Sequence, residues 1–163
     1  MKDVKKRLIH EFNKSKFLFI AILVVIIDQM TKYLVNENFE TFSQDYKIFK
    51  NLNLVYVLNK GISFGLLSQM NISFYLGIIS MVISIFIIFL IFKSKNKIEL
   101  LGLSFILGGA VGNGLDRIIN SYVIDFIDFH ISDFHWPAFN FADFFITIGA
   151  LFYIYASFKI KKS

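Results

Sequence analysis

Five of the chain's twelve acidic residues stand between Gly112 and Asp143, in GNGLDRIINSYVIDFIDFHISDFHWPAFNFAD: Asp116, Asp125, Asp128, Asp133 and Asp143. One basic residue, Arg117, accompanies them. Carboxylates gathered between apolar runs point first to function, because burying them is costly. Two that converge at a partly desolvated boundary cannot both ionise cheaply. One keeps a proton, and the pair then holds an acid and a base together. Its titration belongs to the pair rather than to either residue. Such a pair can activate water against an amide: one carboxylate takes water's proton while the other protonates the carbonyl oxygen, with no metal needed. Spacing alone leaves open which two of the five converge.

Other side chains could support that chemistry. Asn140 is three residues before Asp143 and Asn113 is four before Arg117, spacings that share a helix face. Asp116 is expected to pair with its neighbour Arg117 and fix a helix end. Asp28 and Lys32 are also four apart and can pair within a helix, either to end a membrane span or to serve the site. His130 and His135 with the nearby acids could hold zinc in principle. Their spacing matches no usual ligand pattern, so no metal and no cofactor is expected. A Ser–Lys arrangement of Ser63 and Lys60 is conceivable, but its surroundings read as a plain turn. The chain has no Cys, which excludes a thiol nucleophile, a disulfide framework and a thiolate metal site.

The elements that must position these residues are membrane spans. The 163 residues are one domain's length, 56% hydrophobic with 21 Phe and one Pro, and the mean hydropathy is +0.62. Four spans are expected, at about residues 17–35, 72–92, 100–115 and 138–158. The basic start and the apolar run after it resemble a secretory signal, but no small-residue cleavage site follows, so the first span is read as uncleaved. Small residues at Gly102, Gly108, Gly109, Gly112 and Gly114 suit close helix packing in lipid. Between the first two spans, Asn51–Leu58 reads as a short strand with Leu52, Leu54, Tyr56 and Leu58 on one side. Its edge could hold a peptide by strand addition or simply cover the helix tops. The 118–137 segment reads as a polar loop. Twelve of the seventeen basic residues lie at the two termini and in the 93–97 loop. Both termini are therefore expected in the cytoplasm, with the 36–71 and 118–137 segments outside. The net charge of +5 belongs to this arrangement rather than to a nucleic-acid surface. The fold class expected is an all-α membrane protein of four transmembrane helices with a small extracytoplasmic β segment. By the helical rise, Asp28 and Asp143 then both lie toward the outer interface.

With these residues laid out, the chain resembles the lipoprotein signal peptidases (signal peptidase II), membrane aspartic proteases of bacteria, over nearly its whole length. Asp28-Gln29-x-x-Lys32, Asn59-Lys60-Gly61-Ile62-Ser63-Phe64-Gly65, Gly112-Asn113-x-x-Asp116-Arg117, Val123-Ile124-Asp125-Phe126 and Phe139-Asn140-x-Ala142-Asp143 are similar to the family's motifs and stand in the family's order. The resemblance implies that Asp125 and Asp143 are the catalytic pair. It implies supporting roles for Asp28, Lys32, Asn59, Gly61, Asn113, Asp116, Arg117 and Asn140. It further implies a single integral membrane peptidase domain over 1–163, acting as a monomer in the bacterial cytoplasmic (inner) membrane. The substrate implied is a prolipoprotein whose Cys bears diacylglycerol, cut just before that Cys at the extracytoplasmic face, with globomycin as inhibitor. Ser121 departs from the family's usual Gly, Gly114 from an aliphatic residue and Ser63 from Ala. Two other readings compete. In a proton- or cation-coupled transporter, Asp28 and Asp143 would line a pathway through the full membrane depth. In a membrane scaffold, replacing either by Asn would leave function intact.

Overall fold

The structure, a computed structural model, describes residues 2–61 and 72–161, with side chains for 14–61 and 72–159. Ser63, Phe64 and Gly65 lie outside the described residues. Along the chain come α1 (Lys2–Glu37), α2 (Phe39–Phe42), β1 (Tyr46–Phe49), β2 (Leu52–Asn59), α3 (Ser73–Lys93), α4 (Lys97–Asn120), β3 (Val123–Ile131), β4 (Phe134–His135) and α5 (Phe141–Lys161). Lys14–Glu37 of α1, all of α3 and α4, and Phe141–Lys159 of α5 are long and apolar enough to cross a membrane. Only α3 closely follows the apolar run that announced it. The third span is longer than expected because polar ends extend it. Asn96 caps its start through bonds to the amides of Ile98 (2.8 Å) and Glu99 (3.3 Å). Ser121 ends it in a left-handed conformation at φ 62°. The last span begins at Phe141 rather than 138, because Asn140 caps it.

α4 is the inner helix, packed against α1, α3 and α5. Protein buries 61% of its apolar stretch, against 22% for α3 and 17% for α5. Its glycines make the approach possible. A methyl group on Gly108 would lie 2.5 Å from the Val24 Cβ of α1, and one on Gly102 would lie 2.6 Å from the Gly149 carbonyl oxygen of α5. Ala21, Ile87, Ile91, Leu100, Leu103 and Leu107 fill the interior beneath the site. Outward-facing Ile79, Val82, Ile85 and Phe86 on α3 suit contact with lipid tails. At the end of the bundle away from the sheet, the buried Lys14 ammonium donates to the Phe92 carbonyl oxygen near the end of α3.

The β segment is larger than expected. The 118–137 region is not a loop: β3 pairs with β2 and β4, giving a four-stranded antiparallel sheet in the order β1-β2-β3-β4. Strand β2 therefore has a neighbour on both sides and offers no free edge for strand addition. A bulge between Leu54 and Val57 breaks its alternation, and its buried residues are Asn53 and Val55 rather than the expected Leu–Tyr face. Ile124 and Phe126 of β3 pack the sheet onto Val35 at the end of α1 and onto Phe141.

Candidate active site

Three local devices bring the carboxylates together. On β3, Asp125 stands opposite Val57 of β2, in reach of Asn59 at that strand's end. Phe139 then bonds back to β3: its amide donates to the Ile127 carbonyl (3.1 Å), and its carbonyl accepts from the Ile127 amide (2.8 Å). That tie leaves Asn140 beside Asp125, immediately before α5. Finally, Asn140 and Asp143 form a reciprocal cap. The Asp143 amide donates to Asn140 Oδ1 (3.0 Å), and the Asn140 amide donates to Asp143 Oδ2 (3.3 Å). Asp143 thus owes its place to being the third residue of a helix that Asn140 opens.

The two carboxylates face one cavity of about 640 Å³, lined also by Asn59, Asn113, Arg117, Val123, Trp136, Phe139 and Phe144 among others. Asn140 is fully buried beneath it and donates through Nδ2 to Asp125 Oδ1 (2.6 Å) and to Asn113 Oδ1 (3.2 Å). Asn59 Nδ2 donates to the other Asp125 oxygen (2.8 Å), and Asn113 Nδ2 donates to Asp143 Oδ1 (2.8 Å). Asp125 is 3% exposed. Burial first and the Asp143 charge second push its carboxyl from the ordinary 3.8 up to about 7, against the opposing pull of Asn59 and Asn140. Near neutrality Asp125 is therefore protonated about half of the time.

A second tier lies below. Lys32, itself buried, donates to Asp28 Oδ2 (2.7 Å), Asn113 Oδ1 (2.7 Å) and Asp116 Oδ2 (2.6 Å). Three donors meet three acceptors, which is what an ammonium needs to be tolerated at this depth. The bond to Asn113 Oδ1 also sets which way that amide points, so that its Nδ2 faces Asp143. Asp28 Oδ1 accepts from the Ala142 amide (2.9 Å), tying the start of α5 to α1. The expected Asp28–Lys32 pair is present; the expected Asp116–Arg117 pair is not. Successive helix residues point about 100° apart. Asp116 faces Lys32, while Arg117 turns to the cavity and donates through a terminal guanidinium nitrogen to the Gly61 carbonyl (3.1 Å). Gln29 had no role assigned from sequence. It bonds Asp116 Oδ1 (3.0 Å) and the Gly112 carbonyl (3.3 Å), and its place in the first motif was the available signal. Asp128, Asp133, His130 and His135 line no part of the cavity, whereas Lys60 does.

A helical membrane bundle capped by a sheet, with two carboxylates facing one cavity, has the form of an intramembrane hydrolase. The chain belongs to the signal peptidase II family, whose model matches residues 20–159. It is 44% identical over 154 residues to the lipoprotein signal peptidase of Francisella tularensis subsp. novicida, covering 91% of this chain and 95% of that one. It is 42% identical over 139 residues to that of Thermodesulfovibrio yellowstonii, covering 84% and 90%. Two solved bacterial membrane enzymes superpose with TM-scores of 0.80 and 0.74, each at 32% identity. The first covers 89% of this chain and 88% of that one; the second covers 87% and 92%. The protein is thus a multi-pass bacterial membrane peptidase.

Proposed function

We propose that the chain, as one domain, is an aspartic endopeptidase that removes the signal peptide from diacylglyceryl-modified prolipoproteins by cutting just before the lipidated Cys. The observation that carries this reading is the single Asn140 side chain and backbone that bond both Asp125 and Asp143 at one cavity. Asp143 accepts amide hydrogens at the start of α5, where the helix dipole favours negative charge, and acts as the base. It takes a proton from water as the water oxygen attacks the scissile carbonyl carbon. Asp125 carries the shared proton and gives it to the carbonyl oxygen, so the tetrahedral intermediate forms without net charge. Collapse then breaks the C–N bond as the proton from Asp143 passes to the leaving nitrogen and one hydroxyl proton of the intermediate returns to Asp125, which restores the starting state. Asn59, Asn113 and Asn140 hold the carboxylates. Asp28, Lys32 and Asp116 hold Asn113 and α5 in turn, and Arg117 holds Gly61.

The cavity lies at the sheet end of the bundle. With both termini cytoplasmic, it opens at the outer face of the inner membrane, where a substrate helix with its lipid tail arrives by lateral diffusion. The bilayer then supplies part of the positioning. Globomycin would compete for the same cavity. Beneath the Asp28–Lys32–Asp116 tier, Ala21, Ile87, Ile91, Leu100, Leu103 and Leu107 close the helix interface among the described residues, which speaks against a transporter's polar pathway.

The experiment is cleavage of a diacylglyceryl prolipoprotein by the purified protein in detergent, beside Asp125→Asn and Asp143→Asn, with and without chelator. Cleavage should survive the chelator and fall roughly 10²–10⁴-fold or more in each variant. Cleavage unchanged in both variants would remove the dyad.

A further inference from the structure

We propose that His130 and His135 form a binding site for one borderline divalent transition-metal ion (Cu²⁺, Ni²⁺ or Zn²⁺) at the tip of the sheet, separate from the carboxylate cavity and independent of its chemistry. Strands β3 and β4 are joined by the two residues Ser132 and Asp133, with Ser132 at φ 52°. The turn places His130 directly opposite His135. One step along, the Trp136 amide bonds the Phe129 carbonyl at 2.8 Å. His130 and His135 are therefore a non-hydrogen-bonded pair, the kind whose side chains stand closest across an antiparallel ladder. Their rings stack at 4.7 Å between centroids and 15° between planes.

Both rings have Nδ1 partners that set the tautomer ligation needs. His135 Nδ1 lies 2.8 and 2.9 Å from the two Asp128 oxygens, and His130 Nδ1 lies 3.2 Å from the Ser132 carbonyl. An oxygen acceptor at Nδ1 places the proton there and leaves the lone pair on Nε2. A carboxylate behind an imidazole is the outer shell that orients metal-binding histidines. Asp128 is buried at 6% exposure and is fixed in turn by Asn53 Nδ2 at 2.9 Å. His130 Nε2 is shut from solvent with no partner among the described residues, an orphaned acceptor that an ion would satisfy. The largely exposed His135 side chain gives the ion its entry. Ligation turns the rings out of their near-parallel stack so that both Nε2 lone pairs, each in its own ring plane, meet one ion at about 2.0–2.1 Å. No group of three or more His, Cys, Asp or Glu that could hold a metal occurs among the described residues. Water therefore completes the shell, and two imidazoles favour Cu²⁺ over Ni²⁺ and Zn²⁺, and all three over Mg²⁺ and Ca²⁺.

Trp136 is the only Trp of the chain and follows His135, so its fluorescence reports the site. The test uses the full chain in detergent, purified on a tag without histidine and titrated with Cu²⁺. We expect quenching that saturates at one ion per chain, reverses with EDTA and is competed by Zn²⁺. In His130→Asn and His135→Asn the apparent affinity should fall at least tenfold, while His10→Asn matches wild type. Asp128→Asn, which keeps both imidazoles, should weaken binding by roughly 10–100-fold. His135 is exposed, so its variant should keep the wild-type melting temperature and decides the matter if His130→Asn does not fold. Quenching that never saturates overturns the site, as does quenching unchanged in His135→Asn or lost in His10→Asn.

Discussion

At Asp125 the environment sets protonation and stability together. Its carboxyl is near the ordinary 3.8 in the unfolded chain and is pushed up to about 7 in the fold, chiefly by burial and then by Asp143. Between those values the folded chain binds more protons than the unfolded one, so stability falls as pH rises from about 4 to about 7 and then levels. Asp125→Asn removes the buried charge while keeping the shape. Melting curves from pH 4 to pH 8 should therefore show the variant gaining on wild type as pH rises, with the gap widest above about pH 7. A gap independent of pH would mean that Asp125 is not the group that titrates. Such effects were partly legible beforehand. The i, i+4 pair of Asp28 and Lys32 is a local spacing and could be read. That Lys32 also reaches Asn113 and Asp116, more than eighty residues on, depends on two helices meeting and could not.

Among the elements, α4 carries the tightest constraints. A methyl group on Gly112 would lie 2.5 Å from Asp28 Oδ2, and one on Gly102 would lie 2.6 Å from the Gly149 carbonyl oxygen. Each substitution to Ala should cost about 1–3 kcal/mol in stability, since neighbours must move apart. Their functional consequences should differ. Gly112→Ala drives Asp28 away from the Ala142 amide and Lys32, so cleavage per folded molecule should drop. Gly102→Ala, about 15 Å further down the helix, should leave it near wild type. Equal activity in the two folded variants would separate Asp28 from the proposed site. At the other end of α4, Ser121 adopts the left-handed backbone that glycine tolerates best, and its side chain is exposed. Ser121→Gly should raise stability by about 0.5–1 kcal/mol in chemical denaturation, and a loss would show that the hydroxyl matters there. Helices were easier to foresee than strands. A charge-free run such as 72–92 has one physical reading. In VIDFIDFHI, buried acids on both faces hide the strand's alternation, and its partner β2 lies about seventy residues earlier.

Over the whole molecule, the sheet and the cavity share one end of the bundle, while the short 94–96 connection and Lys93, Lys95 and Lys97 mark the other. This separation turns a charge count into a statement about where the proposed reaction occurs. By the positive-inside rule we propose that the basic residues of the amino terminus, the 93–97 connection and the carboxyl terminus lie on the cytoplasmic side. On that proposed orientation residues 46–59 and 123–135, which form the sheet, face outward, and the cavity beside them opens to the outer leaflet. The count was legible in the sequence; the pairing of two distant segments over one site was not. Because the chain contains no Cys, single-cysteine variants can test the orientation without background. Lys47→Cys on exposed β1 and Lys95→Cys in the opposite connection are both surface positions. A membrane-impermeant maleimide applied to intact spheroplasts should label Lys47→Cys and leave Lys95→Cys unlabelled until lysis. The reverse pattern would put the carboxylate cavity on the cytoplasmic side. A lipidated substrate whose Cys lies in the outer leaflet could not reach it there, and the proposed cleavage would fail on geometry while the dyad chemistry stood.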